Sequence, residues 1–442
     1  MAATAIGVSQ MIGCGIYMAP QGLAEMSNPM AAIIACLITG IGTLLMALSF
    51  GRLGEKLPVS GSAIVYTRVA FGETASFIVG WSIWWSNMIG IPAIALSALA
   101  YASYFIPALS ANPIIAFICA AAIIWIYTII NVYGIKGAGN LNLILTLIKL
   151  IPLVVFFIIA IIHFDSSNMH TVASPENKGM SALPIAVAYL VWSFMGFEGS
   201  SINAGEVKNS KIVKQSTITT ALFVLVIYII FLILAFGSMS QSDLANSTSP
   251  VADIIAMSTG AGWAGGFIAL GVFISGLACV GAWVISCARI SYSVGRLNIF
   301  PESLAKIHPK YKTPKNALIV NAIIFTIILI MNCTKGLVEA YNFLILMSSL
   351  AALVFYAFGV ASELMLLTRR DEHFNVLMFI KNGFFSLIAF AYAIYAIYAC
   401  GADLVMWGFI FIMIGIPFHV YNKYHKNEQR RVDDSINIED FE

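Results

Sequence analysis

The chain has 442 residues, of which 60% are hydrophobic and 10% are charged, and its formal net charge is +2. Because a soluble globular protein carries roughly 25% charged residues, this composition excludes a water-soluble protein and indicates that most of the surface faces lipid. The near-neutral charge gives no reason to expect a nucleic-acid partner, and the seven scattered cysteines, without CxxC or histidine-flanked spacing, indicate apolar packing and no disulfide, metal or cofactor site.

Twelve apolar segments are long enough, or nearly so, to cross a bilayer as helices, which takes about 20 residues. They predict an all-α membrane protein with 12 transmembrane helices, because lipid offers no partner for an unpaired backbone amide and the chain lacks the alternating pattern of a membrane barrel. The segments are 4–24, 30–50, 75–107, 113–133, 141–163, 183–205, 216–237, 263–288, 316–333, 340–367, 379–400 and 403–421.

Lysine and arginine predict the orientation of these helices, since both accumulate in cytoplasmic loops. If the N-terminus is cytoplasmic, 20 of the 23 Lys and Arg residues lie inside, only Lys178 and Lys335 lie outside, and Lys149 lies within a span. This asymmetry predicts a multi-pass protein of the plasma membrane, a bacterial inner membrane, with both termini in the cytoplasm. The cytoplasmic loop 289–315 is expected to be partly helical and the polar tail 425–442 to be disordered.

The first and sixth spans carry glycines in mid-span, where a lipid-facing helix prefers Leu and Ile. The first reads "AIGVSQMIGCGIYMAP", with Gly13 and Gly15, and the sixth reads "AYLVWSFMGFEGSSINAG", with Gly196 and Gly199. Breaks at matching positions of two five-helix halves indicate a transporter binding site near the bilayer midplane. Close helix packing is the alternative for either span alone. An unwound stretch presents free N–H groups to a carboxylate and free carbonyls to a cation.

Two ionisable residues lie inside predicted spans, where a charge costs roughly 2.5–3.5 kcal/mol on insertion scales. Glu198 is predicted to face the substrate cavity and sense protons; the alternative is a structural acid that caps the unwound helix by accepting backbone N–H bonds. Lys149 is either an internal ammonium in a cation site or a snorkelling lysine. Trp192 and Trp283 are either core residues or aromatic walls that attract a cationic substrate.

These motifs resemble those of one transporter family. The stretches "WSFMGFEGSSINAGEVKN" and "MIGCGIYMAP" are similar to the helix-six and helix-one signatures of the amino acid–polyamine–organocation superfamily, closest to its basic amino acid/polyamine antiporter branch, with Cys14 in place of the usual serine. Three connecting segments, "PVSGSAIVYTRVAFG", "LANSTSPVADIIA" and "GRLNIFPESLAKIHPKYKTPKNAL", also resemble that family. The resemblance covers essentially the whole chain, but its motifs are less specific to a substrate than to the superfamily.

The resemblance implies two inverted five-helix repeats, residues 1–163 and 183–367, followed by two helices over 379–421 and a cytoplasmic tail over 422–442. It also implies alternating access, in which an external amino acid is exchanged for an internal amino acid or its decarboxylated amine. Trp192 would gate the site, Glu198 would sense protons, and amides of the first-helix break would bind the α-carboxylate. The expected substrate-site residues are Met11, Gly13, Cys14, Gly15, Asn87, Ile91, Trp192, Met195, Gly196, Trp283, Ser348 and Ser349.

Two features depart from that branch. Arginine/agmatine exchangers have an asparagine in helix three where this chain has Ile91, beside Pro92, although Asn87 lies one turn earlier. Lys149 is absent from those exchangers, but sodium-independent relatives carry a lysine where sodium-coupled ones bind Na⁺, so Lys149 indicates sodium independence. The apolar pair Ile91 and Pro92 leaves a proton-linked or exchange carrier for neutral amino acids as the alternative to a carrier of cationic substrates.

Other classes of protein fit less well. The six histidines lie in loops or at span ends, and no span holds HExxH, GxSxG or paired aspartates, which argues against an intramembrane enzyme. No pore loop or ring of charges indicates a channel. A non-transporting amino acid sensor usually needs a longer soluble tail. The expected partners are small amino acids or amines and the lipid bilayer, with a homodimer left open.

Overall fold

The computed structural model describes residues 7–8, 11–13, 15–57, 62–134, 138–169, 179–199, 210–296, 300–368 and 376–435. Within these ranges the regular secondary structure is helical, without a strand, which confirms the predicted all-α class. Numbered along the chain, the helices longer than one turn are α1 (Gly15–Met26), α2 (Pro29–Lys56), α3 (Ala63–Phe71), α4 (Glu73–Ala102), α5 (Pro113–Tyr133), α6 (Ala138–Ile162), α7 (Leu183–Phe194), α8 (Ser210–Ser238), α9 (Gln241–Asn246), α10 (Pro250–Thr259), α11 (Gly262–Arg296), α12 (Lys315–Asn332), α13 (Leu337–Thr368), α14 (Val376–Ala399) and α15 (Ala402–Ser435).

Eight of the described helices, α2, α4, α5, α8, α11, α12, α13 and α15, are long and apolar enough to cross a membrane. Shorter apolar stretches lie at Leu150–Ile162, Gly179–Phe194, Pro250–Thr259 and Gly383–Ala399. The architecture is therefore that of a helical membrane protein, whereas the number of twelve spans stays a prediction. The bounds of α5 are those predicted for the fourth span.

Asparagine and proline set where two of these helices begin. Asn28 precedes Pro29 at the start of α2, and its side-chain oxygen accepts a hydrogen bond from a first-turn backbone N–H at 2.7 Å. Asn112 precedes Pro113 at the start of α5 and accepts from another first-turn N–H at 3.0 Å. Each asparagine satisfies a helix N–H that has no intrahelical partner, and each proline occupies a position that needs no donor. Such local signals make helix starts readable from the sequence.

Helix α4 forms the centre of the bundle. Within an apolar stretch of 18 residues in α4, 94% of the residues are buried, compared with 22% in the corresponding stretch of α5 and 6% in that of α15. It packs against α13, α11 and α3. An apolar helix that is buried on all sides belongs to the interior, whereas the apolar outer faces of α5 and α15 suit lipid. Side chains of α4 are therefore placed to line an internal site.

The tail departs from its predicted disorder. Helix α15 continues without interruption to Ser435, so residues 425–435 are helical, and only residues 436–442 of the tail lie outside those described. The segment is rich in Lys, Glu, Gln and Arg, which favour helix, and has no Gly or Pro after Pro417. A free polar tail would have to nucleate a helix, which is unfavourable. This tail instead extends the helix that α15 already forms, and each added residue gains one backbone hydrogen bond. The loop 289–315 is partly helical, as expected, with the end of α11 and a 3₁₀ turn at Glu302–Ala305.

Candidate substrate site

Helix α7 ends in the middle of the sixth predicted span. Its last residue is Phe194; Met195 is extended, with φ −67° and ψ 152°, and Gly196 has φ +103°. A side chain at Gly196 would be strained by that positive φ, so the glycine allows the chain to leave the helix here. The glycine that the sequence analysis singled out therefore lies at a helix end, and residues 200–209 beyond it are not among those described.

The first predicted span is also interrupted. Residues 7, 8 and 11 are helical, the backbone bends just after Met11, and α1 starts at Gly15. The carbonyl of Met11 accepts a hydrogen bond from the hydroxyl of Tyr228 on α8 at 2.8 Å. A side chain from another helix thus pairs with a backbone group at the bend, as an interrupted helix requires. Cys14, which was predicted in the site, lies outside the described residues.

A cavity lies between the two interruptions. It encloses about 560 Å³ of space not filled by atoms, part of it open to solvent. Small-molecule sites have mostly apolar walls with a few polar groups, and the walls of this cavity have that composition. The residues that line it are Met11, Gly13, Gly15, Ile16, Ser86, Asn87, Gly90, Ile91, Ile94, Trp192, Ser193, Met195, Cys279, Trp283 and Ser348.

The cavity brings together nine of the twelve residues predicted for the substrate site, namely Met11, Gly13, Gly15, Asn87, Ile91, Trp192, Met195, Trp283 and Ser348. Gly196 and Ser349 do not line it. Six further lining residues were not predicted from the sequence, namely Ile16, Ser86, Gly90, Ile94, Ser193 and Cys279. A usable signal existed for three of these, because Ser86, Gly90 and Ile94 recur every four residues and so share one face of α4 with Asn87 and Ile91. The roles of all these residues in binding stay predictions.

The indole of Trp192 lies between glycines of two other helices. A Cβ added to Gly15 on α1 would be 2.7 Å from the indole Nε1, and a Cβ added to Gly90 on α4 would be 2.7 Å from the far edge of the ring. Neither position can hold a side chain unless the ring moves. The two glycines therefore allow Trp192 to reach from α7 across to α4.

Ser86 on α4 and Ser348 on α13 form a reciprocal pair in the cavity wall. Ser86 donates to the carbonyl of Ser348 at 2.9 Å, Ser348 donates to the carbonyl of Ser86 at 2.7 Å, and the two hydroxyl oxygens are 3.1 Å apart. Each hydroxyl has a single hydrogen, and each hydrogen is used within the pair. The serine oxygens therefore offer the cavity lone pairs, which accept hydrogen bonds, and no donor.

Glu198 lies just past the end of α7 and caps the turn that follows the helix by accepting from its backbone. Its side chain is almost fully buried, and its Oε2 accepts hydrogen bonds from the backbone N–H of Gly196 and from the hydroxyl of Tyr356 on α13, each at 3.0 Å. Glu198 does not line the cavity, contrary to the expectation that it faces the substrate. The geometry corresponds to the structural cap that the sequence analysis kept as the alternative, and proton sensing stays a prediction.

Lys149 belongs to α6, but its side chain lies outside the described part of the structure. Pro152, one turn further along α6, packs against α11, where a Cβ added to Gly271 would be 2.7 Å from the proline ring. One turn beyond Gly271, the hydroxyl of Ser275 is buried without a hydrogen-bond partner among the described residues. The helix that packs on α6 thus carries a polar group without a partner in the described part of the chain, and the role of Lys149 stays a prediction.

Comparison with known protein families identifies the chain. A family model described as "Amino acid permease" matches residues 1–420. The chain belongs to the amino acid permease family. Relatives of this permease include an arginine/ornithine antiporter of Lactococcus lactis subsp. cremoris, 28% identical over 96% of this chain and 88% of the relative.

Two further relatives have similar names. An arginine/agmatine antiporter of Chlamydia caviae is 29% identical, with 93% of this permease and 87% of the relative aligned. An arginine/ornithine antiporter of Pseudomonas aeruginosa is 26% identical, with 92% and 86% aligned. The family and these relatives are transporters, which confirms the resemblance seen in the sequence and agrees with the membrane architecture.

The described wall of this permease's cavity contains no carboxylate, lysine or arginine side chain. A charged substrate would therefore interact with backbone dipoles and aromatic rings. Gly15 and Ile16 line the cavity and begin α1, so the positive end of the dipole of a 12-residue helix lies at the wall and favours an anionic group. Trp192 and Trp283 add two aromatic rings, whose faces attract a cation. The cavity can therefore accept a zwitterion with a positively charged or donor-rich side chain.

Proposed function

We propose that this permease is a secondary active, sodium-independent antiporter that exchanges a cationic amino acid for another amino acid or for its decarboxylated amine. The observation that carries the proposal is the cavity itself, in which the N-terminus of α1 is close to two tryptophans and to a serine pair that only accepts hydrogen bonds. The names of the three relatives, all arginine antiporters, support the substrate class.

The cavity suggests how such a substrate is held. Its α-carboxylate would accept hydrogen bonds from backbone amides at the start of α1, where the helix dipole stabilises an anion. Its side chain would extend toward Ser86 and Ser348, because a guanidinium or an ammonium supplies the donors that these oxygens lack. Trp192 and Trp283 would cover the positive charge by cation–π attraction, worth about 0.5–2 kcal/mol.

The proposal includes twelve spans in two inverted repeats, with α2, α4, α5 and α6 equivalent to α8, α11, α12 and α13, and with the two interrupted spans equivalent to each other. Helix packing supports this equivalence, because neighbours occur in matched pairs. Helix α4 packs on α13, α5 and α12, and its equivalent α11 packs on α6, α12 and α5. The equivalent helices α2 and α8, and α4 and α11, also pack on each other. An axis that exchanges the two halves produces this pattern. Both termini would then be cytoplasmic and α1 would run outward, in a bacterial inner membrane.

Sodium independence rests on Lys149. In the proposed topology α6 and α11 are antiparallel, so Lys149, one turn before Pro152, is level with Ser275, one turn after Gly271. We propose that a lysine at this position takes the place of a coupling cation.

Counterflow in proteoliposomes tests the proposal. Vesicles would be loaded with unlabelled arginine, ornithine, lysine, putrescine or leucine. Uptake of each of these compounds in labelled form, added outside, would then be followed with and without Na⁺. The proposal predicts saturable exchange among the cationic partners that does not change when Na⁺ is removed. Exchange that requires Na⁺, or net uptake that does not depend on an internal partner, would contradict it.

A carrier of neutral amino acids is the second candidate. The observation that favours it is the apolar stretch of wall formed by Met11, Ile91, Ile94 and Met195, together with the absence of a carboxylate from the described lining. In the same assay this candidate predicts that leucine exchanges and arginine does not.

A further inference from the structure

A hydrogen-bonded network joins three of the cavity-lining helices at a distance from the cavity. We call it the external network, and it consists of Gln21 and Glu25 on α1, Tyr189 on α7 and Asn342 on α13. Asn342 is central, because its amide nitrogen donates to Glu25 at 3.0 Å and to Gln21 at 3.3 Å, and its amide oxygen accepts from the hydroxyl of Tyr189 at 2.9 Å.

Two further contacts close the external network. Gln21 is 2% exposed, and its amide nitrogen donates to Glu25 at 2.9 Å and to the backbone carbonyl of Ala245, on α9, at 3.0 Å. The carboxylate oxygen Oε2 of Glu25 therefore accepts from two amides on two helices. A Cβ on Gly22 would overlap the hydroxyl of Tyr189, so the close approach of α1 and α7 requires glycine here.

The external network lies to one side of the cavity. Gln21 and Asn342 are each six residues from a cavity-lining residue of their own helix, Gly15 and Ser348, and Tyr189 is three residues from one on α7. At about 1.5 Å per residue, the separation along the helices is roughly 5–9 Å. With α1 running outward, this side is the external one.

We propose that the external network is the gate that holds the outer entrance of the permease closed, with Asn342 as its central residue. This inference rests on the proposed transport cycle and orientation. A substrate from outside reaches the cavity only when α1 and α7 move away from α13, and that movement must break every bond that Asn342 makes to them. Hydrogen bonds to a carboxylate are stronger than hydrogen bonds between neutral groups. Loss of the bond from Asn342 to Glu25 therefore shifts the balance between the closed and outward-open states.

Access to Cys279 reports the state of the gate without any transport measurement. Cys279 lines the cavity, so a membrane-impermeant thiosulfonate reagent added to intact cells reaches it from outside only through an open entrance. The Cys279→Ala variant identifies the labelling that belongs to this residue. Asn342→Leu removes the bonds and approximately keeps the volume, and we expect it to raise the external labelling rate of Cys279 roughly tenfold.

Ser27→Ala is the matched control, since the hydroxyl of Ser27 donates at 2.7 Å to Leu23 within α1 and joins no second helix. Gln21→Met is a second test variant in case Asn342→Leu does not fold.

An unchanged labelling rate in a folded gate variant, or an equal rise in Ser27→Ala, would overturn the proposal. A rise seen only in inside-out vesicles would also overturn it, since the network would then close the cytoplasmic entrance. If the wild-type protein exchanges no amino acid, the proposed function fails, but the labelling result still decides the gate.

Discussion

At the scale of single residues, the glycines around Trp192 have a testable role. A Cβ at position 90 would be 2.7 Å from the Trp192 ring and 3.0 Å from the hydroxyl of Ser348, so both side chains would have to shift. We predict that Gly90→Ala lowers the catalytic efficiency of exchange roughly 10- to 100-fold, because the substrate would lose its alignment with the wall. The concentration dependence of counterflow measures this effect.

The matched control is Gly336→Ala. A Cβ at Gly336 meets no atom within 4 Å, so this variant should exchange substrate like the wild-type protein. Equal efficiency of Gly90→Ala and the wild type would show that the position of Trp192 does not matter for exchange.

The cap formed by Glu198 makes a second prediction at this scale. Glu198→Gln keeps a carbonyl oxygen that can accept from Gly196 and Tyr356, so its thermal unfolding in detergent should resemble that of the wild type. Glu198→Ala leaves both buried donors unpaired and should destabilise the protein by about 1–3 kcal/mol. Equal stability of the two variants would rule out the cap. An altered pH profile of exchange in Glu198→Gln, at unchanged stability, would add proton sensing to the structural role.

At the scale of helices, local signals predict helix starts better than helix ends. Asn112 and Pro113 fix the start of α5 from within the sequence. The end of α7 could be anticipated from Gly196, because only glycine adopts the positive φ there without strain. The continuation of α15 to Ser435 could not, since the helical state of a polar segment depends on whether it extends an existing helix.

The start of α10, outside the spanning helices, links stability to pH. Asp253 accepts hydrogen bonds from the hydroxyls of Ser247 and Ser249, but burial outweighs these bonds and raises the pKa of its carboxyl above the usual value. A folded protein in which this pKa is raised binds the proton more tightly than the unfolded chain does. The contribution of Asp253 to stability is therefore present below the unfolded-state pKa and is lost as the pH rises through the folded-state pKa.

We predict that Asp253→Asn removes this loss, because the amide stays neutral while its single oxygen can still accept from Ser247. Thermal unfolding in detergent between about pH 4 and pH 8 measures the slope. Asp243→Asn, on the neighbouring helix α9 and exposed, is the control and should keep the wild-type slope. The same slope in Asp253→Asn and the wild type would contradict the prediction.

At the scale of the whole molecule, the charge asymmetry predicts orientation. An epitope inserted between Lys335 and Gly336, at the start of α13, should bind antibody on intact cells. An epitope inserted after Lys310, in the loop 289–315 that is predicted to be cytoplasmic, should bind antibody only after the membrane is made permeable. The opposite result would invert the proposed topology, because cytoplasmic loops collect lysine and arginine.

The sequence predicts the regions that form the site better than the contacts within it. The two glycine-containing spans and the family resemblance indicated most of the cavity wall, including Trp192 and Trp283. The pairing of Ser86 with Ser348 was not predictable, because it joins positions 262 residues apart and depends on how α4 packs on α13. The choice between the two roles considered for Glu198 was also not predictable, since it depends on the turn that follows α7. Residue types and spacing reveal where a helix stops, whereas packing decides which way the freed side chains point.

Arginine counterflow in proteoliposomes, with a Trp192→Leu variant, tests the central claim most directly. The wild-type protein should exchange labelled external arginine for internal arginine, ornithine or agmatine, saturably and without Na⁺. Trp192→Leu should weaken this exchange roughly tenfold or more, through loss of the aromatic wall. Trp407→Leu, on the exposed face of α15, should leave it intact. Exchange confined to neutral amino acids, or full arginine exchange in Trp192→Leu, would contradict a cationic antiporter that works through this cavity.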